Sequence, residues 1–332
     1  MTRNLKEFVN HAQTNQVGGF PGDVGEDHVC ILLGLFNGAD TLGEQLDSLA
    51  SQSHKNWSLI VSDDGSKDDW FRIVAEFSDD HAPARTWVTR GPACGYAVNF
   101  LNLACLAGPL VPFAAFCDQD DVWLPHKLAR AIAHLKTVPE GKPAAYVSRT
   151  LICDGNLEGR RPSLLFKRPP SFRNALVQSI GGGNTMVLNR AALDLVQDTA
   201  TRAAGIVSHD WWVYQLVSGA GGNIIYDKTP TLLYRQHGHN MIGANDTLGA
   251  QLVRVRRVFE GQFRLWNDRN IAALDRVRPW LTKDAQTTLD QFKRAREGRL
   301  WTRAVALKAS GVFRQRWRST LALWLAAFVN RL

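Results

Sequence analysis

The chain has 332 residues, 45% of them hydrophobic and 21% charged, which excludes intrinsic disorder and leaves room for one large domain or two modest ones. Its net charge of +8 is uneven, because Gln251 to Leu332 carries 18 basic against 6 acidic residues and the first 250 residues carry 21 against 25. Five cysteines (Cys30, Cys94, Cys105, Cys117, Cys153) form no CxxC pair and are odd in number, which argues against a disulfide framework or zinc site and for reduced thiols in a cytosol.

No run approaches the roughly 20 apolar residues of a membrane span. "MTRNLKEFVNHAQTNQ" at the start lacks the apolar segment of a secretory signal. In chain order, "VCILLGLF" (29–36) reads as a buried strand and "DTLGEQLDSLASQ" (40–52) as an amphipathic helix. "WSLIVSDDGS" (57–66) is a strand ending in a turn, followed by helical "KDDWFRIVAEF". "ARTWVTR" (84–90) is a third strand and "YAVNFLNLACLA" (96–107) a helix. "LVPFAAFC" (110–117) is a fourth strand, and "PHKLARAIAHLKT" (125–137) is a helix with proline in its first turn.

Residues 153–180 break the rhythm with prolines and basic residues. "GGGNTMVLNRAALDLV" then supplies a turn, a strand and a helix, and "SHDWWVYQLVSGAGG" is a helix closed by glycines. "NIIYDKTPTLLYRQHGHN" reads as two short strands, and the chain becomes helical and basic from about Thr247. This alternation predicts an α/β fold: a doubly wound, mostly parallel sheet with helices on both faces, followed by a basic helical region.

In such sheets ligands bind beyond the carboxyl ends of the strands. "FNGAD", "SDDGS" and "DQDD" follow the first, second and fourth strands, so all three polar clusters fall on one edge. "FCDQDDVW" (116–123) crowds Asp118, Asp120 and Asp121 together beside Phe116 and Trp123. Like charges so close repel, so a cation, bound or supplied by the chain, must offset them. Carboxylates of this kind suit Mg²⁺ or Mn²⁺ with phosphate oxygens completing the shell; the competing reading is an N-cap for the following helix. Asp64 can accept from a base ring N–H, or simply belong to an Asp-Gly-Ser turn. Asp210 ahead of an apolar helix is a general-base candidate or a helix cap. His237 and His239 are metal or phosphate candidates against ordinary surface or core histidines.

Together, "FNGADTLGEQLDSLASQSHKNWSLIVSDDGSKDDW", "GPACGYAVNFLNL", "FCDQDDVWLPHKL", "HDWW" and "YRQHGHN" resemble, in order and spacing, the family 2 GT-A glycosyltransferases. The look is that of the rhamnosyltransferase-like branch, which builds bacterial surface polysaccharides such as O-antigen. The resemblance covers roughly residues 29–243, and it suggests an N-terminal extension (1–28), a GT-A domain (29–245) and a basic helical C-terminal region (246–332).

The resemblance implies an inverting transfer of a sugar from a nucleotide-sugar donor, dTDP-L-rhamnose or a UDP-sugar, to a saccharide or lipid-linked acceptor. Phe36, Asn37 and Asp64 would bind the nucleotide, and Asp118 the ribose or the metal. Asp120 would ligate Mn²⁺ or Mg²⁺ directly, with His237 as a further ligand, while Asp121 caps a helix. Asp210 would be the catalytic base; the family's acidic dipeptide is His209-Asp210 here, which leaves the role of His209 open. "IGGGNTMVLN", through Gly182 and Asn184, and one of Trp211 and Trp212 would meet the acceptor.

Arg314, Arg316 and Arg318 join Trp317 to a short apolar run in "FRQRWRSTLALWLAAFVNRL" (313–332), which suits either an anionic membrane surface or packing on the body; nucleic acid lacks an accompanying module. The expected location is the cytoplasm, peripheral to the inner face of the membrane. Two rivals stand: a catalytically silent GT-A subunit of a glycan-assembly complex, and a sugar nucleotidyltransferase. The latter wants a basic phosphate loop after its first strand, and "GLFNGADTLG" has no lysine or arginine.

Overall fold

The computed structural model describes residues 24–82, 85–236, 262–329 and 331–332. Alternating apolar residues build its central sheet. In β1 (Val29–Leu35), Cys30 and Leu32 face one core, and Val29, Ile31, Leu33 and Leu35 face the other. A strand buried on both faces needs cover on both. The helices Ala39–Ala50, Trp70–His81 and Lys127–Leu135 cover one side, and Tyr96–Leu106, Arg190–Thr199 and His209–Gly219 the other.

β2 (Trp57–Asp63), β3 (Thr86–Arg90) and β4 (Phe113–Cys117) join β1 in parallel, in the order β3-β2-β1-β4. The second half of the sheet departs from the mostly parallel expectation. β8 (Val187–Asn189) runs antiparallel to β4, and β6 (Ala144–Cys153) antiparallel to β8. β9 (Asn223–Arg235) then lies parallel to β6, β5 (Val122–Trp123) closes the edge and β7 (Arg161–Pro162) pairs β6. The sheet is therefore mixed.

Two differences from the sequence reading have local causes. β6 contains Ser148, Arg149 and Thr150, and this polar content hides a ten-residue strand from an apolar-run search. β9 is one strand rather than two, because Lys228 and Thr229 bulge out between the Ser148–Asp227 and Arg149–Pro230 pairings. Asp227 accepts from Thr229 N at 2.9 Å, so the turn-like "DKTP" is absorbed without ending the strand.

The basic C-terminal helices Gln262–Arg276, Lys283–Glu297, Leu300–Ser310 and Trp317–Phe328 share the core of the body. Thr282 N donates to Gly219 O at 2.9 Å, and a Cβ on Gly219 would stand 2.8 Å from Leu281. All five cysteines are free. Among the described residues no helix is long and apolar enough to cross a membrane.

Candidate active site

The parallel ladder sets the carboxyl ends of β2, β1 and β4 side by side, pairing Leu35 with Asp63 and Leu33 with Cys117. Their three polar clusters are then laced together. Phe36 N donates to Gln119 Oε1 at 2.7 Å, and Gln119 Nε2 returns a bond to Phe36 O at 3.0 Å. A Cβ on Gly38 would stand 2.2 Å from Gln119 Cδ, so a glycine makes room for this clasp. Asn37, in the left-handed region at φ 48°, donates its N–H to Ser66 Oγ and accepts from Lys67 N at 2.9 Å. Phe36 is exposed, leaving its ring open at the mouth of the edge.

Asp63 orders its turn by accepting from Ser66 N at 2.9 Å. Asp64 instead reaches the 91–95 loop and accepts from Ala93 N at 2.7 Å and Gly95 N at 2.9 Å. Burial raises its pKa, and those amides oppose the rise. A carboxylate offers about four lone-pair sites, so the bonds from Ala93, Gly95 and the Cys94 amide still leave it able to accept another.

Asp118, Asp120 and Asp121 each offer one oxygen, and these oxygens all lie within 4.8 Å of one another. Burial, then the charges of Asp121, Asp120 and Asp210, hold the Asp118 carboxyl well above its ordinary range. Three converging hard oxygen donors fit a divalent cation such as Mg²⁺ or Mn²⁺. The helix-cap alternative fails. The N-cap of Lys127–Leu135 is His126, and no side chain caps it.

Asp121 is not a capping partner either. It is fully buried and accepts from the Asn184 amide and from Arg235 N. The Asn184 side chain turns inward to Asp121, while Gly182 beside it stays exposed. The chain also supplies cations of its own that the sequence reading did not single out. Lys127 is completely buried, donates to Asn184 O at 2.7 Å and lies 4.3 Å from the Trp123 ring centroid. Burial lowers its pKa to about 7, against the raising pull of Cys117, Asp121 and Asp118. The buried Arg235 guanidinium bonds the Asp120 carbonyl at 3.0 Å, the Gly155 carbonyl and Glu44.

Asp210 lies in the first turn of His209–Gly219, and its Oδ1 accepts from Trp211 N at 2.7 Å. Burial, then the charges of Asp210 and Asp118, push the Tyr96 hydroxyl up to about 12. His209 is buried, its ring stacked 4.1 Å from that of Phe100 and edge-on to Phe116 at 4.9 Å. Neither of its ring nitrogens has a hydrogen-bond partner, and burial lowers its pKa to about 4. It is a neutral packing imidazole. Trp212 is fully buried, and Trp211, also buried, spends its Nε1–H on Ala175 O at 2.6 Å. Both rings pack in the interior. His237 and His239 lie outside the described residues.

The model of the glycosyl transferase family 2 matches residues 30–194. A dTDP-rhamnosyl transferase of Shigella flexneri, RfbG, is 27% identical over 69% of this chain and 80% of its own length. The Escherichia coli enzyme WfgD, a UDP-Glc:alpha-D-GlcNAc-diphosphoundecaprenol beta-1,3-glucosyltransferase, is 29% identical over half of this chain and 62% of its own. Among solved structures, S. aureus TarS (residues 1–349) superposes with a TM-score of 0.49 at 16% identity, covering 85% of this chain and 88% of that one.

Proposed function

The chain belongs to glycosyl transferase family 2, and from that premise we propose that it moves a sugar, with inversion, from a nucleoside-diphosphate donor to a hydroxyl of a saccharide or lipid-linked saccharide. The observation that carries this reading is the edge-on contact of the His209 ring with Phe116 at 4.9 Å, which joins the start of the Asp210 helix to the strand that runs into Asp118 and Asp120. It supports Asp210 as the general base and Asp118 and Asp120 as the metal ligands.

Phe36, Asn37 and Asp64 line the nucleotide, with the spare lone pairs of Asp64 accepting from the base. Asp118 and Asp120 would hold Mn²⁺ or Mg²⁺, which when bound supplies charge neutralisation at the diphosphate. Asp121 stands behind them as their support, fixed by Asn184 and Arg235. Asp210 takes the proton of the acceptor hydroxyl as its oxygen bonds the anomeric carbon. The bond from that carbon to the diphosphate breaks on the opposite face, and the diphosphate departs with the electron pair. The identity with RfbG over most of its length supports dTDP-L-rhamnose as donor.

Calorimetric titration with dTDP, UDP and GDP, each with and without Mn²⁺, tests the nucleotide side. Tight binding of dTDP only with metal is expected; preference for UDP would reassign the donor, and binding of none would favour the silent subunit. Asp210→Asn should abolish transfer while sparing donor affinity, and retained transfer rejects the base assignment.

A further inference from the structure

Among the described residues, exposed large apolar side chains concentrate in the last two helices. On Trp317–Phe328, Trp317, Leu321, Leu325 and Phe328 recur at helical spacing and form one exposed stripe, with Trp317 at 72% exposure. The opposite face of that helix buries Leu323, Ala326 and Ala327, and Arg303 ties the two helices by donating to Ala327 O at 2.9 Å. The neighbouring helix Leu300–Ser310 exposes Trp301 at 84% and Val305 at 67%. Both helices are therefore anchored on one side and bare on the other. Isolated exposed leucines are ordinary, but a contiguous stripe marks an interaction surface.

The charge pattern says what covers it. From Leu300 to Leu332 the chain has six basic residues and no acidic one. Lys308, Arg316, Arg318 and Arg331 are exposed, and the Arg318 guanidinium lies 5.5 Å from the Trp317 ring centroid. A second copy docked through the same face would set these cations against their own images, which an isologous interface must then offset. Nucleic acid would use the charges but leave Leu321 and Leu325 without an apolar partner. An anionic lipid surface answers both, with phosphates for the arginines and acyl chains for the stripe. Twelve residues of helix extend about 18 Å, too short to cross a bilayer of about 30 Å but suited to lie in its interface.

We propose that the Trp317–Phe328 helix, with Arg316 and Arg318, docks the protein on anionic lipid headgroups as a peripheral surface helix. The surface is independent of the nucleotide site.

Flotation of the full chain with phosphatidylcholine vesicles, with and without about one-third phosphatidylglycerol, tests it. Binding is expected only with phosphatidylglycerol, and rising salt should weaken it. Leu321→Glu/Leu325→Glu and Arg316→Glu/Arg318→Glu should each reduce the vesicle-bound fraction about tenfold or more, with nucleotide affinity unchanged. Trp317→Ser, at a position 72% exposed, serves as a milder variant should the leucine pair impair folding. No binding to anionic vesicles, or binding by the arginine and stripe variants equal to that of the wild type, overturns the proposal. So does a dimer at sedimentation equilibrium that Leu325→Glu dissolves, which would give the face to a second copy.

Discussion

His209 Nε2 fills the place a side chain on Gly183 would take: a Cβ built there stands 2.1 Å from it. The glycine-rich turn ahead of β8 and the start of the Asp210 helix thus fix each other's position. Gly183→Ala is expected to lower stability by about 1–3 kcal/mol, the usual cost of overpacking. Because the clash needs both partners, the loss should shrink when His209→Ala accompanies it. Urea melts of the four proteins decide, and equal losses in both backgrounds would rule the contact out.

The same imidazole should leave a mark on acid stability. Its folded pKa is near 4 against an ordinary 6.5, with burial the main cause and the nearby Asp210 opposing it. Above pH 6.5 the ring is neutral in both states, so its contribution is fully present. Between 6.5 and 4 the unfolded ring takes a proton that the native one refuses, so stability falls as pH falls, by about 1.4 kcal/mol per unit. Over the whole window the loss is about 3 kcal/mol. His28, also lowered by burial, acts in the same direction. The difference between wild type and His209→Leu isolates the one ring: the variant should lose that share of the slope between pH 6.5 and 4, and parallel curves would contradict the assignment.

Within the acidic cluster, neighbours should fail in different ways. Asp121 is buried and satisfies Asn184 and Arg235, so Asp121→Ala strands an amide and a backbone N–H. That should cost about 3 kcal/mol or more in stability. Asp120 is half-buried, and the bond it gives Arg235 Nε comes from its carbonyl, which alanine keeps. Asp120→Ala should cost less stability than Asp121→Ala yet lose metal-dependent nucleotide binding. Thermal melts beside calorimetry would separate the two, and an unfolded Asp120→Ala with intact Asp121→Ala would invert the roles.

How much of this could be read from residues alone follows from sequence distance. β1, β2 and β4 are legible because each is an apolar run ending in a polar cluster, and a parallel sheet sends such ends to one edge. The residues that bind that edge together are not. Gln119 clasps Phe36 across 83 positions, Lys127 holds Asn184 across 57, and Arg235 reaches Glu44 across 191. No local pattern predicts a partner so far away. The burial of Trp211 and Trp212 is hidden for a related reason: beside a charged residue they look like a ligand wall, but every position from His209 to Val217 is buried.

The loop that holds Asp64 carries its own reporter. Cys94 is exposed between Ala93 and Gly95, and the amides of all three residues bond Asp64. The other thiols are screened: Cys30 and Cys105 are pushed up to about 12 and about 11 by burial, and Cys117 and Cys153 are buried and raised as well. A maleimide should therefore give a single adduct, at Cys94, by mass spectrometry. A nucleoside diphosphate bound at Phe36, Asn37 and Asp64 covers this loop and should slow the reaction several-fold. Asp64→Ala should erase that protection by freeing the loop and removing the base contact together. Labelling that bound dTDP and UDP leave unchanged would move the nucleotide away from the β2 end, and with it the assignment of Asp64.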